Sequence, residues 1–475
     1  MSLPTNPKIK FHAQRDLEKL PQLQRLSSDH RRAMSVVGSV LPFRVNSYVI
    51  DSLIDWDAVP SDPIFQLTFP QQDMLSPEQF TTMAAVLDRG GSAREIRQTA
   101  DAIRMQLNPH PSGQVSHNVP LLDEEPVMGV QHKYDETCLI FPSAGQTCHA
   151  YCTFCFRWAQ FVGIPGLKFA TDEAMRFRDY VANRREITDL LFTGGDPMVM
   201  RTEVLSRYIE PFLSPEFDHI RTIRIGTKSL SYWPYRYLSD DDSDELMRLL
   251  ERVVSAGKHL AIMAHFNHWQ ELMPEPARRA IARLRGVGAT IRSQSPLVRH
   301  INDDGAVWSR MWNEQIRLGV IPYYMFAERD TGAKRYFRVP LYRALEIYRE
   351  AITGTSGLGR TARGPVMSAL PGKISIDGTA EVGGEHVFVL SFLQARDPHW
   401  CKRPFFAKFD PAAHWIDDLK PAFGQSQFFY EQPLAELLSR PKQAHRPQLP
   451  VHPVSLPRSI DLVPTPAQTL VQEVR

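Results

Sequence analysis

A strand–helix–strand unit reads IRTIRIGT at residues 220–227, continues through an amphipathic stretch, and ends with HLAIMAHF at 259–266. Both end segments are apolar and rich in residues that favour buried strands. The stretch between them begins at Ser243, places leucines and valines at helical spacing, and closes at Gly257. The pattern predicts two parallel strands joined by an amphipathic helix.

The same alternation extends to both sides of this unit. Four further segments are predicted as strands: TCLIFPSA (137–144), ITDLLFTGG (187–195), TIRSQSPL (290–297) and VIPYYMFA (320–327). Amphipathic stretches separate most of them, so the six strands are expected to be parallel in an α/β fold. Each strand ends in a polar or glycine-containing turn, where α/β barrels carry their chemistry. Because six units are fewer than eight, we predict a partial (β/α)6 barrel.

The rest of the chain divides into flanking regions. Residues 1–114 are predicted to form a mostly helical cap, since capped helices are indicated within them. The barrel is expected to span residues 115–340, followed by a C-terminal α+β extension over 341–440. Residues 441–475 are rich in proline and are expected to form an extended arm or a disordered terminus.

Composition excludes several classes of function. The 475 residues include 55 Lys and Arg against 53 Asp and Glu, a formal charge of +2, which argues against a nucleic-acid protein with a broad basic surface. No apolar run is long enough to span a membrane. The N-terminal segment lacks the apolar core of a secretory signal, so we expect a cytoplasmic protein.

The five cysteines are unevenly distributed, and three of them form a C-x3-C-x2-C motif at Cys148, Cys152 and Cys155. The motif directly follows a predicted strand, and thiolates are the ligands that iron–sulfur clusters need. Three thiolates can bind three irons of one cluster and leave a fourth iron without a protein ligand. The alternatives are a zinc site, which needs a fourth ligand, and three buried cysteines without a metal. Cys138 and Cys401 are interpreted as ordinary core thiols.

The cysteine motif after the first barrel strand resembles the signature of the radical S-adenosylmethionine superfamily. One strand later, TGGDP at residues 193–197 resembles the Gly-Gly-Glu motif of that superfamily. The resemblance implies that the cysteines bind a [4Fe–4S] cluster and that Gly194, Gly195 and Asp196 help to bind S-adenosylmethionine. Glycines allow close approach of the backbone to a ligand. The implied chemistry is reductive cleavage to a 5′-deoxyadenosyl radical, with an electron donor such as flavodoxin or ferredoxin.

Further motifs narrow the resemblance to the lysine 2,3-aminomutase family. They occur in the family's order over roughly residues 115–380 and read CFR (155–157), TGGDP, RIGT (224–227), HFNH (265–268), QS (294–295), IND (301–303) and FRVP (337–340). By this resemblance, Arg157 binds the substrate carboxylate through a planar guanidinium. The residues expected to face S-adenosylmethionine or an amino-acid-like substrate are Arg224, His265, Asn267 and Gln294. For each of these residues, the alternative is a structural polar role.

Aminomutases of this family also use pyridoxal phosphate, which forms an aldimine with an enzyme lysine. The family's spacing from the turn at residues 355–357 places Lys373 at that position, so Lys373 is the predicted Schiff-base lysine. An alternative alignment places Arg363 there, and arginine cannot form the aldimine. Lys133 stands for an arginine of the family's phosphate-binding segment, and Thr137 replaces a second one.

The chain departs from the lysine-specific members where those members hold the far ammonium of lysine. Arg329 and Val366 stand at positions of two aspartates, and neither forms an ammonium site. Two alternatives follow. Either Glu328 or Asp330 binds the ammonium after the alignment shifts by one residue, or the substrate is not lysine and Arg329 faces a second carboxylate. The family's C-terminal zinc-binding cysteine cluster is absent, so any homo-oligomer would lack that metal.

These features predict an isomerase that performs a 1,2-amino shift with a 5′-deoxyadenosyl radical. Two alternatives stay open. One is an enzyme on the same scaffold that abstracts hydrogen without pyridoxal phosphate, for epimerisation or dehydrogenation. The other is a non-catalytic metal-binding protein.

Overall fold

The computed structural model describes residues 7–111, 117–164 and 167–439, which form a large mixed β-sheet with flanking helices. The strands of this sheet are β1 Val130–Tyr134, β2 Thr137–Ile140, β3 Asp189–Phe192, β4 Thr222–Thr227, β5 His259–His265, β6 Thr290–Leu297, β7 Ile321–Ala327, β8 Arg363–Ser368, β9 Gly372–Val382, β10 Glu385–Ala395 and β11 Pro404–Lys408. Two short antiparallel pairs lie outside it: Phe11–Ala13 with Arg44–Asn46, and Leu121–Leu122 with Glu125–Pro126. The predicted proline-rich tail at 441–475 lies outside the described residues.

The strands are arranged in the sheet in chain order from β1 to β11. Strands β2 to β8 run parallel, while β1 and β9 to β11 are antiparallel to their neighbours. The six predicted parallel strands are confirmed as β2 to β7, and the α/β class with them. Strand β8 is a seventh parallel strand that was not predicted, because its sequence RGPVMS contains glycine and proline, which indicate a turn.

The described residues also form thirteen α-helices. They are α1 Ser28–Val40, α2 Pro63–Thr68, α3 Pro77–Asp88, α4 Ala93–Gln106, α5 Ala174–Ala182, α6 Thr202–Ile209, α7 Ser229–Tyr232, α8 Ser243–Ser255, α9 Glu275–Gly286, α10 Gly305–Arg317, α11 Lys334–Phe337, α12 Leu341–Thr353 and α13 Glu431–Ser439. Helix α8 confirms the amphipathic helix predicted from Ser243, since Leu246, Leu249, Leu250 and Val253 are buried on one face. None of the described helices is long and apolar enough to cross a membrane.

The N-terminal helices α3 and α4 begin with reciprocal capping boxes. The N–H of Gln79 donates to the Ser76 hydroxyl at 3.2 Å, and the N–H of Ser76 donates to the Gln79 side chain at 3.0 Å. Ser92 and Glu95 repeat the arrangement before α4. Helices α1 to α4 share one hydrophobic core with α7 and with Phe154. This N-terminal region is therefore packed against the segment that carries the three clustered cysteines.

Two contacts bring distant strands of the sheet together. The Lys133 ammonium on β1 donates to the Ala369 carbonyl oxygen, next to β8, at 2.6 Å. The Lys373 ammonium on β9 lies 5.5 Å from the centre of the Tyr134 ring on β1. Strands β1 and β9 are eight positions apart in the sheet order, so the sheet curves until its first and ninth strands are in contact.

Candidate active site

The cysteine loop, residues 148–155, follows β2 and carries three free, partly exposed thiols. Burial raises the pKa of the Cys152 thiol to about 11 and that of the Cys155 thiol to about 12, and it raises that of Cys148 well above its ordinary value. The charges of neighbouring cysteines add to the shifts at Cys148 and Cys155, which indicates that the three sulfurs lie near one another. Within the described residues, no three His, Cys, Asp or Glu side chains form a group that could hold one metal ion.

The N-terminal region holds the backbone of the cysteine loop. The N–H of Tyr151 donates to the Arg44 carbonyl oxygen at 2.8 Å, and the N–H of Thr153 donates to the carbonyl oxygen of Leu67 at 2.9 Å. The Asn46 side-chain amide donates to the carbonyl oxygen of residue 149 at 3.0 Å. These contacts cross about a hundred positions of sequence, and they fix the loop between the N-terminal region and the sheet.

The glycine turn after β3 packs directly against the residue that precedes the cysteine loop. A Cβ atom on Gly195 would lie 2.4 Å from the Thr147 carbonyl oxygen and 2.5 Å from its nitrogen, so only glycine fits. Gly194 has a positive φ of 141°, and a Cβ there would lie 2.1 Å from Gln146 Nε2. The N–H of Asp196 donates to the Thr147 carbonyl oxygen at 2.7 Å. Within the described residues, neither glycine carbonyl accepts a hydrogen bond.

The carboxylate of Asp196 is fully engaged within the chain. It accepts hydrogen bonds from the Thr227 hydroxyl at 2.7 and 2.9 Å, and from the N–H groups of Met198 and Lys228 at 2.9 Å each. Burial raises the pKa of this carboxyl to about 6, although the hydrogen bonds act to lower it. The side chain ties the turn after β3 to the end of β4, so the part of this turn left for a ligand is its backbone.

A buried ion pair that no sequence motif indicated lies beside the cysteine loop. Lys228 Nζ lies 2.5 Å from Glu271 Oε1, and the two side chains are 8% and 0% exposed. Glu271 also accepts hydrogen bonds from the Ser231 hydroxyl at 2.5 Å and from the N–H of His268 at 2.9 Å. The available signal was the position of Lys228 directly after β4, at the carboxyl end of a parallel strand.

Tyr232 connects this ion pair to the cysteine loop. The Lys228 ammonium lies 4.6 Å from the centre of the Tyr232 ring, and Tyr232 Oη lies 3.3 Å from Cys152 Sγ. Burial raises the pKa of Tyr232 well above its ordinary value, so the phenol keeps its proton. A thiolate has no proton to donate, so the phenol is the donor whenever Cys152 is deprotonated.

Asn267, which was expected to face a ligand, is completely buried and bonded at both ends of its amide. Its oxygen accepts from Lys228 Nζ at 3.0 Å, and its nitrogen donates to the Ser295 hydroxyl at 2.8 Å. The amide therefore links the ends of β4, β5 and β6. This geometry supports a structural contribution from Asn267.

His265 and Gln294 are opposite each other on β5 and β6 and are both partly buried. His265 Nε2 is buried and has no hydrogen-bond partner within the described residues. Burial holds the pKa of His265 well below its ordinary value, so the imidazole is neutral. Its ring centre lies 5.9 Å from that of Phe154 in the cysteine loop. Buried polar atoms normally have a partner, so this nitrogen marks a place where a ligand atom could bind.

Arg224 lies in the middle of β4 and pairs with Asp189 on β3. Its Nε donates to Asp189 Oδ1 at 2.8 Å, and its second contact, to Oδ2, is 2.6 Å long. This bidentate pair occupies the guanidinium of Arg224. The guanidinium lies near Lys373, whose pKa its charge lowers, rather than at the carboxyl end of β4.

Lys373 on β9 is half-buried beside the aromatic rings of Tyr134 on β1 and Tyr324 on β7. Its ammonium donates to Gln394 Oε1 at 2.8 Å and lies 5.4 Å from the centre of the Tyr324 ring. Burial, followed by the charge of Arg224, lowers the pKa of Lys373 to about 8. More of the amine is therefore uncharged near neutral pH than in an ordinary lysine, as a Schiff-base lysine requires. The alternative residue, Arg363, is exposed at the start of β8.

Arg157 and Arg329 lie against the same aromatic ring. Their guanidinium carbons are 5.0 and 4.8 Å from the centre of the Phe156 ring. The guanidinium of Arg157 also lies 4.2 Å from the Phe141 ring and makes no hydrogen bond or ion pair with a described residue. Its donors are therefore available to an anion.

Lys133 lies in a group of cations. Burial holds its pKa well below the ordinary value, and the charges of Arg396, Arg329 and Lys373 lower it further. The sequence indicated Lys133, Lys373 and Arg157 separately, whereas the structure brings them together with Arg329. Arg396 was missed because it lies after β10, far from any motif.

Comparisons with known proteins give consistent results. No protein-family model matches the chain. A protein of Aquifex aeolicus strain VF5, provisionally named as an L-lysine 2,3-aminomutase, is 30% identical over 396 residues, which cover 83% of this chain and 92% of that protein. The L-lysine 2,3-aminomutases of Fusobacterium nucleatum and Escherichia coli K12 are 28% and 29% identical over 240 residues, half of this chain and 53% and 66% of theirs. The extent of the first match and the agreement of the names show that the chain belongs to the lysine 2,3-aminomutase family of enzymes.

Proposed function

We propose that the protein is a radical S-adenosylmethionine enzyme that catalyses a 1,2-amino shift in an amino acid or a derivative. The observation that carries the proposal is the three-cysteine loop packed against the glycine turn of the next parallel strand. Relatives named as aminomutases support the reaction class. Strands β2 to β7 would form the partial barrel over residues 115–340, between an N-terminal cap (1–114) and a C-terminal extension (341–440).

Cys148, Cys152 and Cys155 would each hold a different iron of a [4Fe–4S] cluster, so their sulfurs need not converge on one point. When bound, the cluster supplies the electron that cleaves S-adenosylmethionine to a 5′-deoxyadenosyl radical, with flavodoxin or ferredoxin as the proposed donor. The backbone of Gly194 and Gly195 would bind the methionine end of S-adenosylmethionine. Nε2 of His265 on β5, which has no hydrogen-bond partner among the described residues, would give the site a further polar contact.

Lys373 is proposed to attach pyridoxal phosphate, with Lys133 near the phosphate. The half-buried ammonium and lowered pKa of Lys373, and the cations around Lys133, support this assignment. When bound, the cofactor supplies an aldehyde carbon that can hold the amino group of the substrate. Arg157 would orient the substrate carboxylate, because its guanidinium has no other hydrogen-bonding partner within the described residues.

The proposal is tested with anaerobically reconstituted protein, S-adenosylmethionine, a strong reductant and a panel of amino acids. We expect 5′-deoxyadenosine and a product whose amino group has moved to the adjacent carbon. Cys152→Ala should abolish both, while Cys401→Ala, which removes a partly buried cysteine outside the motif, should retain them. Turnover by Cys152→Ala would contradict the proposal.

One observation favours a second candidate, a radical enzyme without pyridoxal phosphate. Thr137 replaces an arginine of the family's phosphate-binding segment, and its hydroxyl is directed to Asp189 at 3.2 Å. Borohydride trapping and peptide mapping separate the two candidates. Cofactor trapped on Lys373 supports the aminomutase, whereas 5′-deoxyadenosine formation without any trapped cofactor supports the second candidate.

A further inference from the structure

We infer that the substrate is an α-amino acid with a second acidic group on its side chain, and that Arg329 binds this group while Arg157 binds the α-carboxylate. The inference rests on the proposed aminomutase function and specifies its substrate class. Arg329 is then the residue that determines specificity.

The first observation is the position of Arg329 in the fold. It follows the end of β7 by two residues, and its guanidinium donates to the Ser368 hydroxyl at the end of β8 at 3.0 Å. It also lies 4.8 Å from the centre of the Phe156 ring, next to the cysteine loop. No described carboxylate forms an ion pair with it. The guanidinium is therefore oriented by a hydroxyl and a ring, and no described carboxylate lies within ion-pair distance of it.

The second observation concerns the two carboxylates beside Arg329 in the sequence. Asp330 forms an ion pair with Lys334, which turns it toward helix α11. Burial raises the pKa of Glu328 well above its ordinary value, against the opposing effect of the Arg329 charge, so burial disfavours the ionised form of this carboxyl. Asp330 is therefore paired elsewhere. Glu328 interacts with the charge of Arg329, but its burial disfavours the ionised carboxylate that the ammonium of a lysine substrate would need.

The third observation is the surplus of positive charge around Arg329. Lys133, Lys373 and Arg396 are close enough to interact with one another or with Arg329. Burying like charges without an anion is costly, so this arrangement favours ligands that bring negative charge. A cofactor phosphate at Lys133 would use part of the surplus. The guanidinium groups of Arg329 and Arg157 would remain for the substrate.

The fourth observation is the spacing of the two guanidinium groups. Both lie within about 5 Å of the centre of the same ring, so they are no more than about 10 Å apart. A small amino acid with two carboxylates can reach both, and each carboxylate can accept paired hydrogen bonds from a guanidinium. The ammonium of lysine would instead approach the half-buried guanidinium of Arg329, a like charge, which is unfavourable.

The test compares the wild type, Arg329→Gln and the control Arg335→Gln, which changes an exposed arginine six positions away. Each holoenzyme is incubated with S-adenosylmethionine, reductant and one of L-aspartate, L-glutamate, L-2-aminoadipate, O-phospho-L-serine, L-lysine or L-arginine. The readouts are 5′-deoxyadenosine, the rearranged product, and pyridoxal phosphate content. Comparing the amino acids that carry a side-chain carboxylate with O-phospho-L-serine shows which form of acidic side chain the enzyme accepts.

We expect the acidic amino acids of this panel to support turnover by the wild type and by the control variant. Arg329→Gln should lower kcat/KM for them about 30-fold or more, the lower bound for truncating one partner of a buried charge pair. Its pyridoxal phosphate content should be unchanged. Turnover with lysine or arginine in place of the acidic members would overturn the inference but retain the proposed function. Loss of pyridoxal phosphate in Arg329→Gln would overturn it by assigning Arg329 to the cofactor. Absence of 5′-deoxyadenosine with every member would instead count against the proposed function.

Discussion

Replacing Lys228 with methionine tests whether the buried ion pair with Glu271 stabilises the sheet beside the cysteine loop. The pair has a 2.5 Å contact and side chains that are 8% and 0% exposed, so solvent screens it little. Removing one partner of such a pair leaves an uncompensated buried charge and costs about 3–5 kcal/mol. Glu271 keeps hydrogen bonds from Ser231 and the backbone, so we expect a loss near the lower end, about 3 kcal/mol.

The loss is measured by urea unfolding of the cluster-free protein, followed by tryptophan fluorescence, so that cluster loss does not contribute. Arg252→Met is the control, because its ion pair with Glu210 is 49% and 46% exposed and should contribute about 1 kcal/mol or less. Combining Lys228→Met with Glu271→Gln removes the uncompensated charge of Glu271 and should recover part of the lost free energy of unfolding. A cost for Lys228→Met equal to that of the control would refute the reasoning, as would strict additivity in the double variant.

Three further predictions concern the proposed cofactor sites. Gly195→Ala should prevent reconstitution of the iron–sulfur cluster, because the new Cβ would lie 2.4 Å from a backbone oxygen. The control Gly357→Ala places its Cβ in open space and should reconstitute normally. Equal iron content in the two variants would contradict this prediction. Tyr232→Phe removes a hydrogen bond to Cys152 Sγ, so the cluster's reduction potential in an EPR-monitored titration should become more negative, and an unchanged potential would count against the contact. Because the pKa of Lys373 is lowered to about 8, the fraction of its reactive neutral form increases as the pH rises through that value. The rate of pyridoxal phosphate attachment should therefore increase up to about pH 8 and level off above it. A rise that begins only near the ordinary lysine pKa would be inconsistent with the lowered pKa.

The parallel strands were predictable because each carries its own local pattern. Strands β2 to β7 are apolar segments bounded by turns, and an amphipathic helix such as α8 separates neighbours. Strand β8 carries no such pattern. Its glycine and proline are tolerated because Arg363 and Val366 pair with Tyr324 and Phe326 of β7 through an irregular register. That pairing depends on tertiary contacts, which a local pattern does not reveal.

The residues of the candidate site also fall into two groups, those that a local sequence motif indicates and those that only the fold brings together. Cys148, Cys152 and Cys155 are recognisable because a cluster needs three thiolates within reach, and one short loop supplies them. The Lys228–Glu271 pair was missed because its partners are 43 positions apart and neither belongs to a motif.

The cation group around Arg329 shows why the substrate was the hardest feature to predict. Lys133 contacts the carbonyl of Ala369 across 236 positions, and only the curvature of the sheet brings β1, β7 and β9 together. The charge that a substrate meets is therefore a sum over distant strand ends rather than a property of one segment. The cysteines and the glycines, in contrast, each lie in one short motif of the sequence, although contacts about a hundred positions away hold the backbone of the cysteine loop. A substitution at Arg329 is thus expected to change which side chain is accepted while retaining the three cysteines and the two glycines, although its guanidinium lies against the Phe156 ring next to Cys155.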